Sequence, residues 1–194
     1  HQLTREVAYA SLPKADRGRL HAAVARRLER EGDETLAALL AHHYEQAVQD
    51  DYAALAWAGA PDELAGLRAR ALHWLRRASE RAAARYEMGA AAAMLERALE
   101  LADDDSARFE LWQALASVHS LRYDAQGLVS ASGHAIELAP DERAVARLYA
   151  ELALRSCTAW LMWNPPLERE VAERWVERAL AGAAPGSRER AVAL

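Results

Sequence analysis

The stretch Leu39-Leu-Ala-His-His-Tyr-Glu-Gln-Ala47 sets two histidines beside a tyrosine and a glutamate. Imidazole titrates near neutral pH and is the commonest metal ligand, so His42 and His43 are the first residues to weigh for chemistry. On a helix, adjacent side chains point about 100° apart, whereas chelation favours an i, i+4 pair as in H-E-x-x-H. The chain contains no such pair. His43 falls on one stripe with Leu36, Leu39, Leu40 and Ala47, which assigns it to hydrogen-bonded packing. The expectation here is structural, with no metal ligand. Nor does the chain hold a Gly-rich phosphate loop, a Cys/His cluster or a G-x-S-x-G elbow. Glu168 and Glu170 alternate with Arg169 and Arg174, the pattern of a solvated helix face. The reading is non-enzymatic, with no catalytic residue and no cofactor.

The elements that carry these residues read as helices throughout. The chain is rich in Ala, Leu, Arg and Glu, all strong helix formers, and β-branched residues are scattered. Residues 3–12 give a short amphipathic turn set with Leu3, Val7, Ala8 and Leu12 on one side, stopped by Pro13. A helix follows over 15–30, with Leu20, Val24 and Leu28 as its apolar stripe. Gly32 ends it, and Asp33 caps a helix over 34–49. Gly59-Ala-Pro-Asp62 is a stop and restart before a long helix over about 63–85.

From there one phrase recurs. Glu96-Arg-Ala-Leu-Glu-Leu-Ala102, His134-Ala-Ile-Glu-Leu-Ala-Pro140 and Glu177-Arg-Ala-Leu-Ala-Gly-Ala-Ala-Pro185 share a central alanine, at Ala98, Ala135 and Ala179, spaced 37 and 44 residues apart. Each phrase closes a second helix, preceded by an aromatic-bearing first helix over 72–85, 109–123 and 144–163. Two antiparallel helices per unit at a period near 34 is the tetratricopeptide layout. The middle unit fits best, through Trp112, Leu115, Ala116, Leu128, Ala135 and Pro140. The predicted fold is all-α: antiparallel helix pairs stacked as a tetratricopeptide-like right-handed superhelix over 33–194, with 1–32 a separate helical element.

That layout nominates a groove. First helices line the concave face of such arrays, and the matching positions are Arg76, Glu80, Gln113 and Ser117. Trp160 and Trp163, three apart and followed by Asn164-Pro165-Pro166, share a helix face in this reading. They are either a core anchor at a widened repeat or an aromatic wall of the groove.

At 194 residues there is room for one or two domains with a core. A net charge of −5 argues against general nucleic-acid binding. Locally, 14–30 carries six Lys/Arg against two acids and 68–85 carries six Arg against one: either a docking face for acidic protein, phosphate or membrane or, the commoner case, internal partners for Asp103-Asp-Asp105 and nearby glutamates. The lone Cys157 forms no internal disulfide and fits a reducing compartment. No apolar run reaches the roughly 18 residues of a membrane span, and no signal-peptide layout is present. Both termini fall abruptly, so the chain reads as a fragment of a larger cytoplasmic protein.

Three phrases, Arg5-Glu-Val-Ala-Tyr-Ala-Ser-Leu-Pro13, Arg19-Leu-His-Ala-Ala-Val-Ala-Arg-Arg-Leu28 and Leu40-Ala-His-His-Tyr44, occur in an order that resembles the junction of multidomain STAND-class signalling ATPases. There a winged-helix segment, here the tail of it over 1–32, is followed by a tetratricopeptide-like sensor array. The resemblance is nearest to versions linked to adenylate/guanylate cyclases, then to large LuxR-type transcription regulators. It implies a non-catalytic regulatory scaffold that binds a protein segment or small effector and restrains an ATPase and its output domain elsewhere. The alternative is a structural oligomerisation module with no ligand.

Overall fold

The computed structural model describes residue 7 and residues 9–158, 160–187 and 190–191, without the side chains of 50–52 and 160. Among these, every regular element is helical and there is no strand. Leu3 and Ala8 of the first expected turn set lie outside the described residues. The contacts divide the chain into two compact units, 1–85 and 86–194. The division falls between Arg85 and Tyr86.

In the first unit, α1 (Lys14–Glu31) begins directly after Pro13, whose fixed φ suits a helix start. It ends at Gly32 in the left-handed region, φ 69°, where the absent Cβ removes the steric cost. Asp33 then accepts the Thr35 amide at 2.8 Å and opens a 3-10 turn, Glu34–Leu36, that runs into α2 (Ala37–Val48). After α3 (Asp50–Ala56), Pro61 occupies the first turn of α4 (Pro61–Ala84), where its missing N–H costs nothing. α2 packs against both α1 and α4, and α3 lies against α1. Leu40, Tyr44, Leu67 and Leu75 are sealed from solvent between them.

The side of α1 that faces this core is not the one the leucine pattern chose. Leu20 and Val24 are exposed, and the buried residues are Gly18, Ala22 and Ala25. Small side chains let helix axes approach, so the close contact goes to the glycine–alanine stripe. Glu29 lies one turn beyond it and ties three helices together. Its carboxylate accepts from the Tyr44 hydroxyl at 2.6 Å and from Trp74 Nε1 at 2.9 Å, with Arg70 at 3.8 Å. Burial alone would raise this carboxyl, but those donors and the guanidinium outweigh it and hold it below the ordinary range. The same carboxylate, with burial, pushes the Tyr44 phenol up to about 12, so it stays a donor. The local basic runs are answered within the unit: Arg26 meets Glu63 at 2.7 Å, and Arg77 meets Glu34 at 2.8 Å and Glu80 at 2.7 Å.

The second unit holds α5 (Met88–Leu101), α6 (Asp105–Leu121), α7 (Ala125–Glu137), α8 (Glu142–Thr158) and α9 (Arg169–Gly182). Aspartates set three of the starts. Asp104 accepts from the Ala107 amide, Asp124 from Gly127 and Asp141 from Ala144, at 2.7–2.9 Å. Asp104, in the acidic run at 103–105, thus serves as a helix cap. α5 packs on α6, α6 on α7, and α8 on α9. Ala98, Ala135 and Ala179 are all completely buried. Ala135 sits in one cluster with Phe109, Ala144 and Leu148, so α6, α7 and α8 share a core. α8 stops at Thr158, short of the helix expected through 163, and a 3-10 turn, Trp160–Met162, replaces its last turn.

Candidate functional site

Among the described residues, one candidate site stands out in each unit. The first is assembled on α1 and α2. Segment 9–12 is fastened to α1 by Arg17, which donates from Nε to the Leu12 carbonyl at 2.9 Å and from Nη2 to Ala10 at 2.7 Å. Its guanidinium also lies 5.1 Å over the Tyr9 ring. That places the Tyr9 hydroxyl 2.8 Å from His21 Nε2. His21 occupies the same small-residue face of α1 as Gly18, Ala22 and Ala25, and so points at α2. There its Nδ1 lies 2.8 Å from His43 Nδ1, and its ring is 5.8 Å, centre to centre, from that of His42. The His42 and His43 rings are 5.3 Å apart. A nitrogen from each of the three rings lies within 4.8 Å of the others.

This corrects the sequence argument on one point. The 100° offset between adjacent helical positions does separate the Cβ atoms of His42 and His43, but rotation about the side-chain bonds turns both rings toward His21 on the facing helix. His42 remains exposed while His21 and His43 are half-buried. Burial, then the neighbouring imidazoles, push His21 down to about 4, and burial followed by His42 lowers His43. In the Nδ1–Nδ1 contact one ring donates its N–H and the other accepts it on a lone pair. The signal for His21 lay in the sequence, three residues after Gly18 and four before Ala25; it was hidden by giving the inward face to Leu20 and Val24.

The second place is a groove of about 170 Å³ among α6, α7 and α8. Gln113 and Ser117, both nominated from the repeat pattern, line it. Ser132 on α7 and Glu151 and Arg155, one turn apart on α8, complete the polar lining, and Arg155 Nη2 donates to the Ser117 hydroxyl at 3.2 Å. Leu128, Ala135, Leu148 and Leu152 give the apolar part. Glu151 and Arg155 lie on the first helix of the third repeat and escaped the sequence reading because that repeat is stretched, so its groove positions were not matched by spacing.

The remaining nominated residues lie elsewhere. Arg76 and Glu80 are exposed on α4, in the first unit, with Glu80 accepting from Arg77. Trp163 is buried, its ring edge-on to Tyr123 at 6.1 Å, while the Asn164 amide donates to the Tyr123 carbonyl at 2.7 Å. Trp163 is therefore a core anchor over the α6–α7 turn, and its indole N–H has no partner among the described residues. The Trp160 side chain lies outside the described residues; because α8 ends first, the two tryptophans do not share a helix face. Among the described residues, no helix is long and apolar enough to cross a membrane. No family model, curated protein or solved structure matches the chain.

Proposed function

We propose that the chain is a non-catalytic regulatory scaffold that grips a protein segment in the α6–α7–α8 groove, acting as the tetratricopeptide-like sensor region of a cytoplasmic STAND-class signalling ATPase with a nucleotide-cyclase or DNA-binding output. The groove is the observation that carries the binding half of this reading. Its volume of about 170 Å³ is below the roughly 300–1,000 Å³ of pockets for drug-sized ligands. One side chain of a docked segment suits it better than a whole small effector. The 3.2 Å Arg155–Ser117 bond is at the long end for N–H···O, so an incoming carboxylate exchanges it for a stronger charge-assisted pair. Three fully buried alanines in phase with the repeated phrase favour stacked helix pairs, and the resemblance of 5–13, 19–28 and 40–44 favours the attached ATPase. A solenoid contacts mostly its neighbours in sequence, so filling the groove shifts a two-state restraint on the ATPase.

The test is Ser117→Trp, which fills the groove, placed in the ATPase-bearing protein. ATP turnover should lose its dependence on the activating partner while the helical circular dichroism stays the same. Turnover that still responds normally, with the indole in place, removes the regulatory reading.

A further inference from the structure

We infer that His21, His42 and His43 form a binding site for a divalent transition ion of borderline softness, Zn²⁺ in the first instance. The site is independent of the groove and of the ATPase reading. Three features of the geometry point to it.

The first is spacing. Two zinc–imidazole bonds of about 2.0–2.1 Å at a tetrahedral angle put their nitrogens about 3.3 Å apart. The present nitrogens range from 2.8 Å, between His21 Nδ1 and His43 Nδ1, to at most 4.8 Å. To reach the required triangle the separations must change by no more than about 1.5 Å, a shift of the size that ring rotations supply. The second is the proton arrangement. A 2.8 Å hydrogen bond between Nδ1 and Nδ1 holds one proton between the two rings, so one ring presents a bare lone pair there. If His21 Nδ1 is bare, its proton is on Nε2, where it donates to Tyr9. That is the arrangement in which an outer partner fixes the tautomer and orientation of a ligating histidine. On metal binding His43 carries its proton on its other nitrogen, so no proton has to leave the rings and the complex keeps the ion's 2+ charge. The third is access. His42 is exposed, so an ion enters from solvent and keeps a water in its fourth position. The donor set selects the ion: imidazoles suit Zn²⁺, Co²⁺, Ni²⁺ and Cu²⁺, whereas Mg²⁺ and Ca²⁺ require oxygen. A bound ion would cross-link α1 to α2.

The experiment is competition for Zn²⁺ against a chromophoric chelator at pH 7.5, using the whole chain. One ion per chain should bind. His42→Ala, an exposed position whose truncation leaves the fold intact, should weaken it by more than about 100-fold. Tyr9→Phe should weaken it by about 10-fold, as removal of an outer partner does. His73→Ala, an exposed histidine on α4, should change nothing. Substituting Co²⁺ should give the intense visible absorption of a four-coordinate ion. If His42→Ala and His21→Gln bind Zn²⁺ as well as the parent chain, or the Co²⁺ spectrum is the weak one of the hydrated ion, the site is not a metal centre.

Discussion

Tyr44 shows how much of the first unit's order rests on one polar atom. Its ring is completely buried and its hydroxyl is spent on Glu29, a carboxylate still partly open to water. A hydrogen bond to a charged group contributes roughly 1.5–3 kcal/mol. Because solvent can partly replace the lost donor, Tyr44→Phe should cost near the lower end, about 1.5 kcal/mol by chemical denaturation at pH 7. The pH dependence follows from Glu29. Its folded pKa is depressed, so the stability it supplies is complete above the unfolded carboxyl range and is lost as pH falls through the folded value. The difference between parent and Tyr44→Phe should therefore be flat from pH 6 to 8 and shrink below about pH 4. A difference that persists undiminished into strong acid would mean the hydroxyl acts through packing and not through the carboxylate.

At the scale of the helix, glycine gives a sign test. An exposed glycine inside a helix is worse than alanine by roughly 0.5–1 kcal/mol, because it loses more backbone freedom on folding. Gly66 in α4 has open space where a Cβ would stand, so Gly66→Ala should stabilise by about that amount. Gly127 in α7 should do the reverse. A Cβ there falls on the His119 ring, which is held by its 2.8 Å bond to Asp124, the residue that also caps α7. Gly127→Ala must displace the ring, loosening both the pair and the cap, and should destabilise by about 1–2 kcal/mol in thermal melts. The same contrast marks how far the elements were legible. Helix ends written by Pro13, Gly32, Asp33 and Pro61 could be read, since each acts on the backbone of its own segment. Gly127's role could not, since it depends on the side chain of another helix. The inward face of α1 failed for the same reason: hydrophobicity favours Leu20 and Val24, and only the closeness of α2 explains Gly18, Ala22 and Ala25. His21, one of the cluster's three histidines, was lost with that face. In the groove, Gln113 and Ser117 were found by spacing within the best-formed repeat, and Arg155 was missed where that spacing breaks down.

The molecule as a whole has two cores, and each substitution above belongs to one of them. Tyr44 is buried among α1, α2 and α4, whereas Gly127 and His119 belong to the α6–α7 hairpin beyond the division at Arg85. Substitutions that share no contacts add within about 0.3–0.5 kcal/mol, whereas coupled ones depart by more. Native-state hydrogen exchange can read the two units separately, because each amide reports the free energy of the opening that exposes it. Tyr44→Phe should speed exchange in α1, α2 and α4 and leave the slowest amides of α6 and α7 at their parent rates. Gly127→Ala should do the opposite. In the double variant, each unit should show its own single-variant loss to within about 0.5 kcal/mol. If either change instead accelerates the slowest amides of both units equally, the chain unfolds as one cooperative body, and the two cores are parts of a single energetic unit.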